Sequence, residues 1–187
     1  QLMNCIWIFK RYGTQWIQHQ DPICKTDLGA EFGYRVAIWD TTIIVLSDWL
    51  TQNPKINVIE LNQTSNLWYY STSLIGVDTV FTGIYGSASI AIYNDTIVQG
   101  ITSASNFPSV PSKLRCGAFV FKRNSTGYWN QDGGFIYSDE MIGGAISQFA
   151  DVTVDIWTNT IAIGLLRTSG TTRNYVAVFT RNDTTWY

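Results

Sequence analysis

The residues able to perform chemistry are few, and their spacing matches no catalytic motif. His19, the single histidine, lies in "WIQHQDP" without a serine or cysteine partner motif, so we interpret it as an exposed strand residue. Asp139 and Glu140 are adjacent, and in an extended segment their side chains would point to opposite sides, which makes a poor acid–base pair. The motifs G-x-S-x-G, G-x-x-x-x-G-K and G-x-G-x-x-G are absent. The sequence therefore predicts no enzyme and no cofactor, although a site assembled from distant segments would leave no linear motif.

The three cysteines also lack the C-x-x-C spacing of a zinc or redox site. Cys5 and Cys24 flank a predicted hairpin that turns near Gly13, so two antiparallel strands could place them opposite each other. We expect either a disulfide between these two residues or, as the alternative, two buried thiols. Cys116 is then the odd cysteine.

Four Asn-x-Ser/Thr sequons offer N-linked glycosylation as the remaining chemistry, on the condition of a eukaryotic secreted source. Each begins in a segment rich in turn-forming residues, where a glycan would be exposed. The alternative is that sequons collect in turns simply because Asn and Ser favour turns. The four sequons begin at Asn62, Asn94, Asn124 and Asn182.

The composition is that of one compact β-rich domain. Charged residues make up 14% of the 187 residues, aromatic residues another 14%, and the net charge is −2. Trp, Tyr, Ile, Val and Thr are common, and these residues favour strands. A weakly acidic chain without a basic stripe is an unlikely partner for nucleic acid. No apolar run reaches the roughly eighteen residues of a membrane span.

An internal repeat organises the chain. "FKRYGTQW" (9–16) and "FTRNDTTW" (179–186) share a Phe, an Arg two places on and a closing Trp. "FKRNSTGYW" (121–129) has one extra residue, and "LNQTSNLW" (61–68) lacks the arginine. A second block, "RVAIWDTTIIVL" (35–46), aligns without gaps to "SIAIYNDTIVQG" (89–100) and "TVDIWTNTIAIG" (153–164). Recurrence of both blocks at about fifty to sixty residues predicts repeated structural units.

Each unit is predicted to contain four antiparallel strands, A to D. Strands A and B are the two runs of the second block, joined by a two-residue turn typical of a hairpin. Strand C ends at the Phe or Leu of the first block, and strand D begins at its Trp. We expect Trp16, Trp68 and Trp129 to be equivalent strand-D residues packed against the neighbouring unit. No segment has a sustained helical period, so the fold class is all-β.

The repeats divide a single domain into one partial unit and three further units. Residues 1–31 would supply strands C and D only, 32–80 and 81–144 two complete units, and 145–187 a nearly complete one. Incomplete units are therefore expected at both ends of the chain. In an up-and-down unit, turns A–B and C–D project from one end, which would carry all four sequons. Trp49 and Phe107 lie in loops of the opposite end and are candidate anchors of a binding face.

The order of these elements is similar to the FG-GAP repeat, the propeller repeat of integrin α-chain heads. The likeness extends over nearly the whole chain and begins, in each unit, with an aromatic residue and a small one. The resemblance implies a β-propeller-like array of four-stranded antiparallel blades. The pairs are Phe32–Gly33, Tyr85–Gly86 and Phe149–Ala150.

The chain also departs from that family. The Gly-Ala-Pro sequence after strand B is absent, and so are calcium loops of the D-x-D-x-D-G kind. Asp40, Asp95 and Asn159 occupy turns too short to enclose an ion. The family's metal sites are therefore not expected here, and no metal is predicted.

These observations predict a non-enzymatic extracellular glycoprotein that serves as a structural or adhesive module. We expect it to self-assemble head to tail into a fibre or another polymer, because an opening C–D hairpin without strands A and B exposes a hydrogen-bonding edge. Its partners would be further copies of itself, extracellular matrix or a cell-surface glycoprotein. The alternative is a ligand-binding propeller fragment of a larger receptor or lectin-like protein that uses the long-loop face.

Overall fold

The structure is a computed structural model of the 187-residue chain. It describes residues 4–26, 28, 31–48, 54–77, 84–105, 113–137, 151–166, 174–182 and 185–187, with the backbone alone at 84–88, 103–105, 113–115, 151 and 166. These residues form strands and turns and contain no helix, which confirms the predicted all-β class. Within the same ranges there is accordingly no helix long and apolar enough to cross a membrane.

The strands follow the chain in short antiparallel steps. The first four are β1 (Asn4–Ile6), β2 (Phe9–Tyr12), β3 (Gln15–Gln18) and β4 (Ile23–Lys25). The next four are β5 (Arg35–Trp39), β6 (Thr42–Ser47), β7 (Lys55–Asn62) and β8 (Leu67–Ile75). They are followed by β9 (Ile84–Tyr93), β10 (Thr96–Ser105), β11 (Lys113–Arg123) and β12 (Trp129–Gln131). The last four are β13 (Asp151–Trp157), β14 (Thr160–Leu166), β15 (Tyr175–Asn182) and β16 (Thr185–Trp186).

Three four-stranded antiparallel sheets result, each built from consecutive strands. Sheet I has the order β5-β6-β7-β8, sheet II β9-β10-β11-β12 and sheet III β13-β14-β15-β16. The predicted four-stranded units are thus confirmed for these sheets, and the fourth strand of the last one, β16, is only two residues long. At the start of the chain, β2 and β3 form the opening hairpin, and β1 pairs with β4. The described sheets show no closed ring or barrel.

The A–B hairpins have the same register in all three sheets, as the gapless alignment predicted. The paired residues are Ile38 with Ile43, Ile92 with Ile97 and Ile156 with Ile161. Each turn begins with a residue of positive φ, a conformation that Asp and Asn tolerate better than most residues. These residues are Asp40, Asn94 and Thr158, with φ of 47°, 53° and 54°.

The sheets stack face to face in chain order. We call the face that points to the preceding element of the chain the front face, and the opposite one the rear face. The rear face of sheet I packs on the front face of sheet II through Ile44, Leu46, Ile56, Val58, Ile90, Ile92, Phe119 and Phe121, among others. Sheet II packs on sheet III in the same way through Val98, Ala118, Val120, Val154, Ile156, Ile161 and Phe179, among others. Ile6, Ile8 and Ile23 pack on Ile43, Val45 and Ile59 of the front face of sheet I.

Candidate functional site

The turns A–B and C–D lie side by side at one end of every sheet. The reason is a backbone hydrogen bond that recurs at equivalent positions. Leu61 N donates to Thr41 O at 2.9 Å, Arg123 N to Asp95 O at 2.8 Å, and Arg181 N to Asn159 O at 2.8 Å. We call this end of the stack the turn end.

The four sequon asparagines are exposed at the turn end. Asn62 Oδ1 accepts the N–H groups of Thr64 and Ser65 at 2.9 and 3.1 Å. Asn124 Oδ1 accepts the N–H and hydroxyl of Thr126 at 3.0 and 2.7 Å and the N–H of Tyr128 at 2.9 Å. In both turns the side-chain oxygen accepts hydrogen bonds that stabilise the loop. These bonds do not use the side-chain amide nitrogen, which is the atom to which a glycan attaches.

The repeated arginine joins one sheet to the preceding one. Arg123 of sheet II forms an ion pair with Glu60 of sheet I, with Arg123 Nη2 at 3.0 Å from Glu60 Oε1. The indole Nε1–H of Trp129 donates to the same oxygen at 3.2 Å, and the Tyr69 hydroxyl donates to Glu60 Oε2 at 3.4 Å. Glu60 is buried, so its charge depends on these donors.

The last copy of the motif makes the same kind of contact. Both terminal nitrogens of Arg181, on β15, reach the carboxylate of Asp132, which directly follows β12 of sheet II. Their distances to the two oxygens are 2.9 and 3.3 Å, a bidentate geometry that adds directionality to the charge attraction. The Phe-x-Arg part of the repeat is therefore a connection between neighbouring sheets.

The first copy is the exception, and it corrects the prediction for Trp16. Trp129 is 8% exposed and buried between two sheets, whereas Trp16 is 67% exposed. Arg11 forms a local hydrogen bond, with its Nε donating to Gly13 O at 2.9 Å. No described sheet lies in front of the opening hairpin, so its tryptophan is not buried against one. Trp68, also expected to be buried, is half-buried.

Two glutamine side chains each form the pair of hydrogen bonds to a backbone N–H and C=O that a neighbouring β-strand would form. Gln20 donates its amide to Trp68 O at 2.9 Å, and its Oε1 accepts Trp68 N–H at 2.7 Å. Gln131 does the same to Val77, at 2.8 Å for both bonds. Beside the first clamp, His19 Nε2 donates to Asn66 O at 2.8 Å. His19 is thus half-buried and structural, rather than exposed as we interpreted it from the sequence.

An aromatic ladder runs along the stack at the A–B turns. The rings of Trp39 and Tyr93 lie 4.4 Å apart between centroids, and those of Tyr93 and Trp157 lie 4.7 Å apart. The three residues hold the same position in the three A–B blocks. Among the described residues the last ring of the ladder is that of Trp157, which is exposed.

The cysteines have separate environments. A disulfide joins Cys5 and Cys24, which face each other in the β1–β4 register. Cys116 is a buried thiol within the core between sheets II and III.

The described residues contain little that suggests catalysis. No group of three or more His, Cys, Asp or Glu in the described ranges could hold a metal ion. A polar cleft of about 580 Å³ at the turn end of sheet II is lined by Asp95, Lys122, Arg123 and Asn124, and by residues 125 and 130–132. The acids of this cleft form ion pairs, Asp95 with Lys122 and Asp132 with Arg181. Trp49 and Phe107, like Asp139 and Glu140, lie outside the described residues.

Sequence reasoning missed the partners of the repeated arginine and the two glutamine clamps. Glu60 had a usable signal, because it is the single acid in the mostly apolar run "INVIEL", and a buried acid needs a basic partner. Asn57 had the same signal, and it is indeed buried, with Nδ2 donating to Ser47 Oγ at 2.9 Å. Asp132, Gln20 and Gln131 lie in or near turns. Polar residues are common there, so their presence does not indicate a specific contact.

The fold and these contacts define an all-β protein of stacked, four-stranded antiparallel sheets joined by repeated ion pairs. No family model, no curated protein and no solved structure matches the chain.

Proposed function

We propose that this protein is a non-enzymatic extracellular glycoprotein, a structural or adhesive module of propeller-like blades that assembles head to tail into a polymer. The observation that carries the proposal is the pair of exposed apolar faces at the two ends of the stack of sheets. Each of these faces has a buried counterpart inside the molecule. The likeness to FG-GAP repeats supports the same conclusion at the level of the blade.

The rear face of sheet III is the first of these surfaces. Val176 is 74% exposed, and Val178 and Trp157 are exposed beside it. The residues equivalent to the two valines in sheet II are Ala118 and Val120, which sheet III buries completely. A patch of neighbouring apolar side chains on a sheet face is typical of an interaction surface.

The front of the opening hairpin is the second surface. It presents Trp7, Phe9 and Trp16, all exposed, with Arg11 between them. Their equivalents in sheet II, Phe119, Phe121, Trp129 and Arg123, contact sheet I through the core and the Glu60 ion pair. The hairpin thus carries the residues that elsewhere in the chain dock on a preceding sheet.

Together the two surfaces support a heterologous contact between copies. The rear face of sheet III in one copy would dock on the front of the opening hairpin of the next, repeating the arrangement of sheets I, II and III. Such a contact gives a ring when its rotation closes and a filament when it does not. Glycans at Asn62, Asn94, Asn124 and Asn182 would occupy the turn end and leave both faces uncovered.

Light scattering on the 187-residue polypeptide tests the proposal. The wild-type chain should form concentration-dependent oligomers at micromolar concentration. Val178→Lys, which places a charge in the centre of the rear face of sheet III, should give monomers. Val36→Lys is the matched control, because Val36 is an equally exposed valine on β5 that belongs to neither face. A wild-type chain that stays monomeric would refute the assembly.

The glycoprotein part of the proposal has its own test. Glycopeptide mapping of protein from its natural source should find glycans on the four sequon asparagines. Unmodified asparagines would remove the glycoprotein and secretion part and leave the assembly result unaffected.

A further inference from the structure

The polar cleft at the turn end of sheet II lies beside a sequon asparagine. Its volume is about 580 Å³, and Asn124 is part of its lining. Asp95 of turn A–B, Ser125 of turn C–D and Asn130 of β12 line it as well. The cleft is thus formed where two turns and one strand of the same sheet meet. A volume of this size is typical of small-molecule sites in proteins.

Three hydrogen bonds fix the side chain of Asn124. Its Oδ1 accepts the N–H and the hydroxyl of Thr126 and the N–H of Tyr128. Because an amide group is planar, an oxygen held at three points also fixes the direction of Nδ2. None of the three bonds uses Nδ2, the atom to which the sugar of an N-linked glycan is attached. The first sugar of a glycan on Asn124 would therefore start from a fixed point in the lining of the cleft.

The side chains of the lining match the polar groups of an N-acetylated sugar. Such a sugar has hydroxyl groups and an acetamide group, which both donate and accept hydrogen bonds. Asp95 accepts hydrogen bonds, Lys122 donates them, and Ser125 and Asn130 do both. The side chains of Lys122 and Asp95 are 40% and 42% exposed, and their ion pair is long at 3.8 Å, so both groups keep hydrogen-bonding capacity for a ligand.

The charges around the cleft favour a neutral ligand. Arg123 of the lining pairs with Glu60 at 3.0 Å, and Asp132 of the lining pairs with Arg181 at 2.9 Å. Both are therefore already neutralised by residues of neighbouring sheets. The lining contains two carboxylates and two cationic groups, which leaves it without net charge. A neutral sugar fits this balance better than an anion or a cation does.

We propose that this cleft binds N-acetylglucosamine, and that the first residue of the glycan on Asn124 supplies the sugar. The inference rests on the proposed function in one respect, the glycosylation of Asn124. The covalent bond to Nδ2 keeps the sugar at the cleft at a high effective concentration, so a weak intrinsic affinity is sufficient. A sugar bound there contacts turn A–B, turn C–D and β12 together, and it holds the turn end of sheet II in one arrangement.

Nuclear magnetic resonance on the glycosylated chain tests the contact directly. The Val178→Lys chain, expected to be monomeric, is produced in secretory eukaryotic cells and trimmed by an endoglycosidase to one N-acetylglucosamine per occupied asparagine. The acetyl methyl group of the sugar on Asn124 should show nuclear Overhauser effects to Asp95, Lys122 or Asn130. The sugar on Asn62 is the matched control and should show none to these residues. Asn62 Oδ1 also accepts hydrogen bonds within its turn, but Asn62 is not part of the cleft.

A free disaccharide tests the cleft without glycosylation. The probe is N,N′-diacetylchitobiose, titrated into the same chain produced without glycans in a bacterial periplasm. It should shift the backbone amide resonances of Asp95, Lys122 and Asn130, and cellobiose, which has hydroxyl groups in place of the acetamides, should bind more weakly. Asn130→Ala should weaken binding about two- to tenfold, because it removes a hydrogen-bonding group of the lining. Gln63→Ala, at an exposed polar residue outside the cleft, should leave binding unchanged.

The outcomes separate this site from the proposed function. Absence of chitobiose binding at the highest soluble concentration, or equal binding of cellobiose, would overturn the acetamide site whatever the state of Asn124. A glycan on Asn124 without contacts to the cleft would refute the protein's own glycan as the ligand and leave the glycoprotein function supported. Chitobiose binding together with an unmodified Asn124 would support the cleft as a site for an external sugar and refute both the internal source and the glycosylation of this residue.

Discussion

The junction between sheets I and II and the front of the opening hairpin carry the same motif in different surroundings. Arg123 and Trp129 meet Glu60 and an apolar core, whereas Arg11 and Trp16 meet solvent. The local hairpin is alike in both places, since the arginine faces the tryptophan across the two strands each time. The motif therefore determines which residues pair across the hairpin, and the preceding sheet determines whether they are buried.

The apolar residues of strand A also differ in burial according to the sheet in front of them. Ile38 and Ile92 occupy the same place in the A–B hairpin, and each is paired with an isoleucine of strand B. Of these two, only Ile92 is covered, because sheet II has a complete sheet in front of it, whereas the described residues place no complete sheet in front of sheet I. Whether a side chain is buried therefore depends on the neighbouring sheet and not on the repeated sequence. Pairs of equivalent residues can be compared to measure this difference.

Replacing tryptophan by alanine at the two positions should give the largest difference. Trp129→Ala removes a ring buried between two sheets and should lower the unfolding free energy by about 3–5 kcal/mol. Trp16→Ala should change it by no more than about 0.5 kcal/mol. Urea unfolding in the Val178→Lys background measures both without a contribution from assembly. Equal losses would mean that Trp16 is buried in solution.

The isoleucines of strand A should differ next. Ile92→Ala leaves a cavity in the core between sheets I and II and should cost about 2–5 kcal/mol. Ile38→Ala removes mostly exposed surface and should cost less than about 1 kcal/mol. The same unfolding measurement applies, with Ile156→Ala as a second buried position. A large loss for Ile38→Ala would show that another segment covers β5.

The ion pair between Glu60 and Arg123 should contribute less than the apolar contacts. A double-mutant cycle with Glu60→Gln and Arg123→Met should give a coupling free energy of about 1–2 kcal/mol, because the arginine is partly exposed and therefore screened. Arg11→Met, the matched change in the opening hairpin, should leave the unfolding free energy nearly unchanged. A coupling near zero would mean that Trp129 and Tyr69 alone satisfy the carboxylate.

The glutamine clamp should have the smallest effect on stability. Gln20→Leu keeps the apolar part of the side chain and removes two hydrogen bonds to the backbone of Trp68, at a cost of about 1 kcal/mol. Amide hydrogen exchange at Trp68 should become faster in this variant. Unchanged exchange at Trp68 would show that the clamp is open in solution.

Much of the fold followed from local chemistry. The two-residue turns and alternating apolar residues of the A–B blocks were enough to predict the register of Ile38, Ile92 and Ile156 with their partners. The burial of the tryptophan side chains was not predictable in the same way, because it depends on packing against sheets that are distant in sequence. Likewise, "INVIEL" indicated a strand, yet the ion pair of Glu60 with Arg123 joins residues of two different sheets. A single sequence gives no periodic signal for such a pair.

The glutamine clamps have a consequence for misfolding. β8 is the outer strand of sheet I, and an exposed outer strand can template amyloid-like growth by recruiting extended chains. The amide of Gln20 occupies the backbone groups of Trp68, and that of Gln131 occupies those of Val77, two residues beyond the end of the strand. An added strand would expose a new row of backbone N–H and C=O groups, whereas a side-chain amide does not. We therefore expect each clamp to block the addition of a further strand at its position, which would protect a tryptophan- and tyrosine-rich strand from fibril formation.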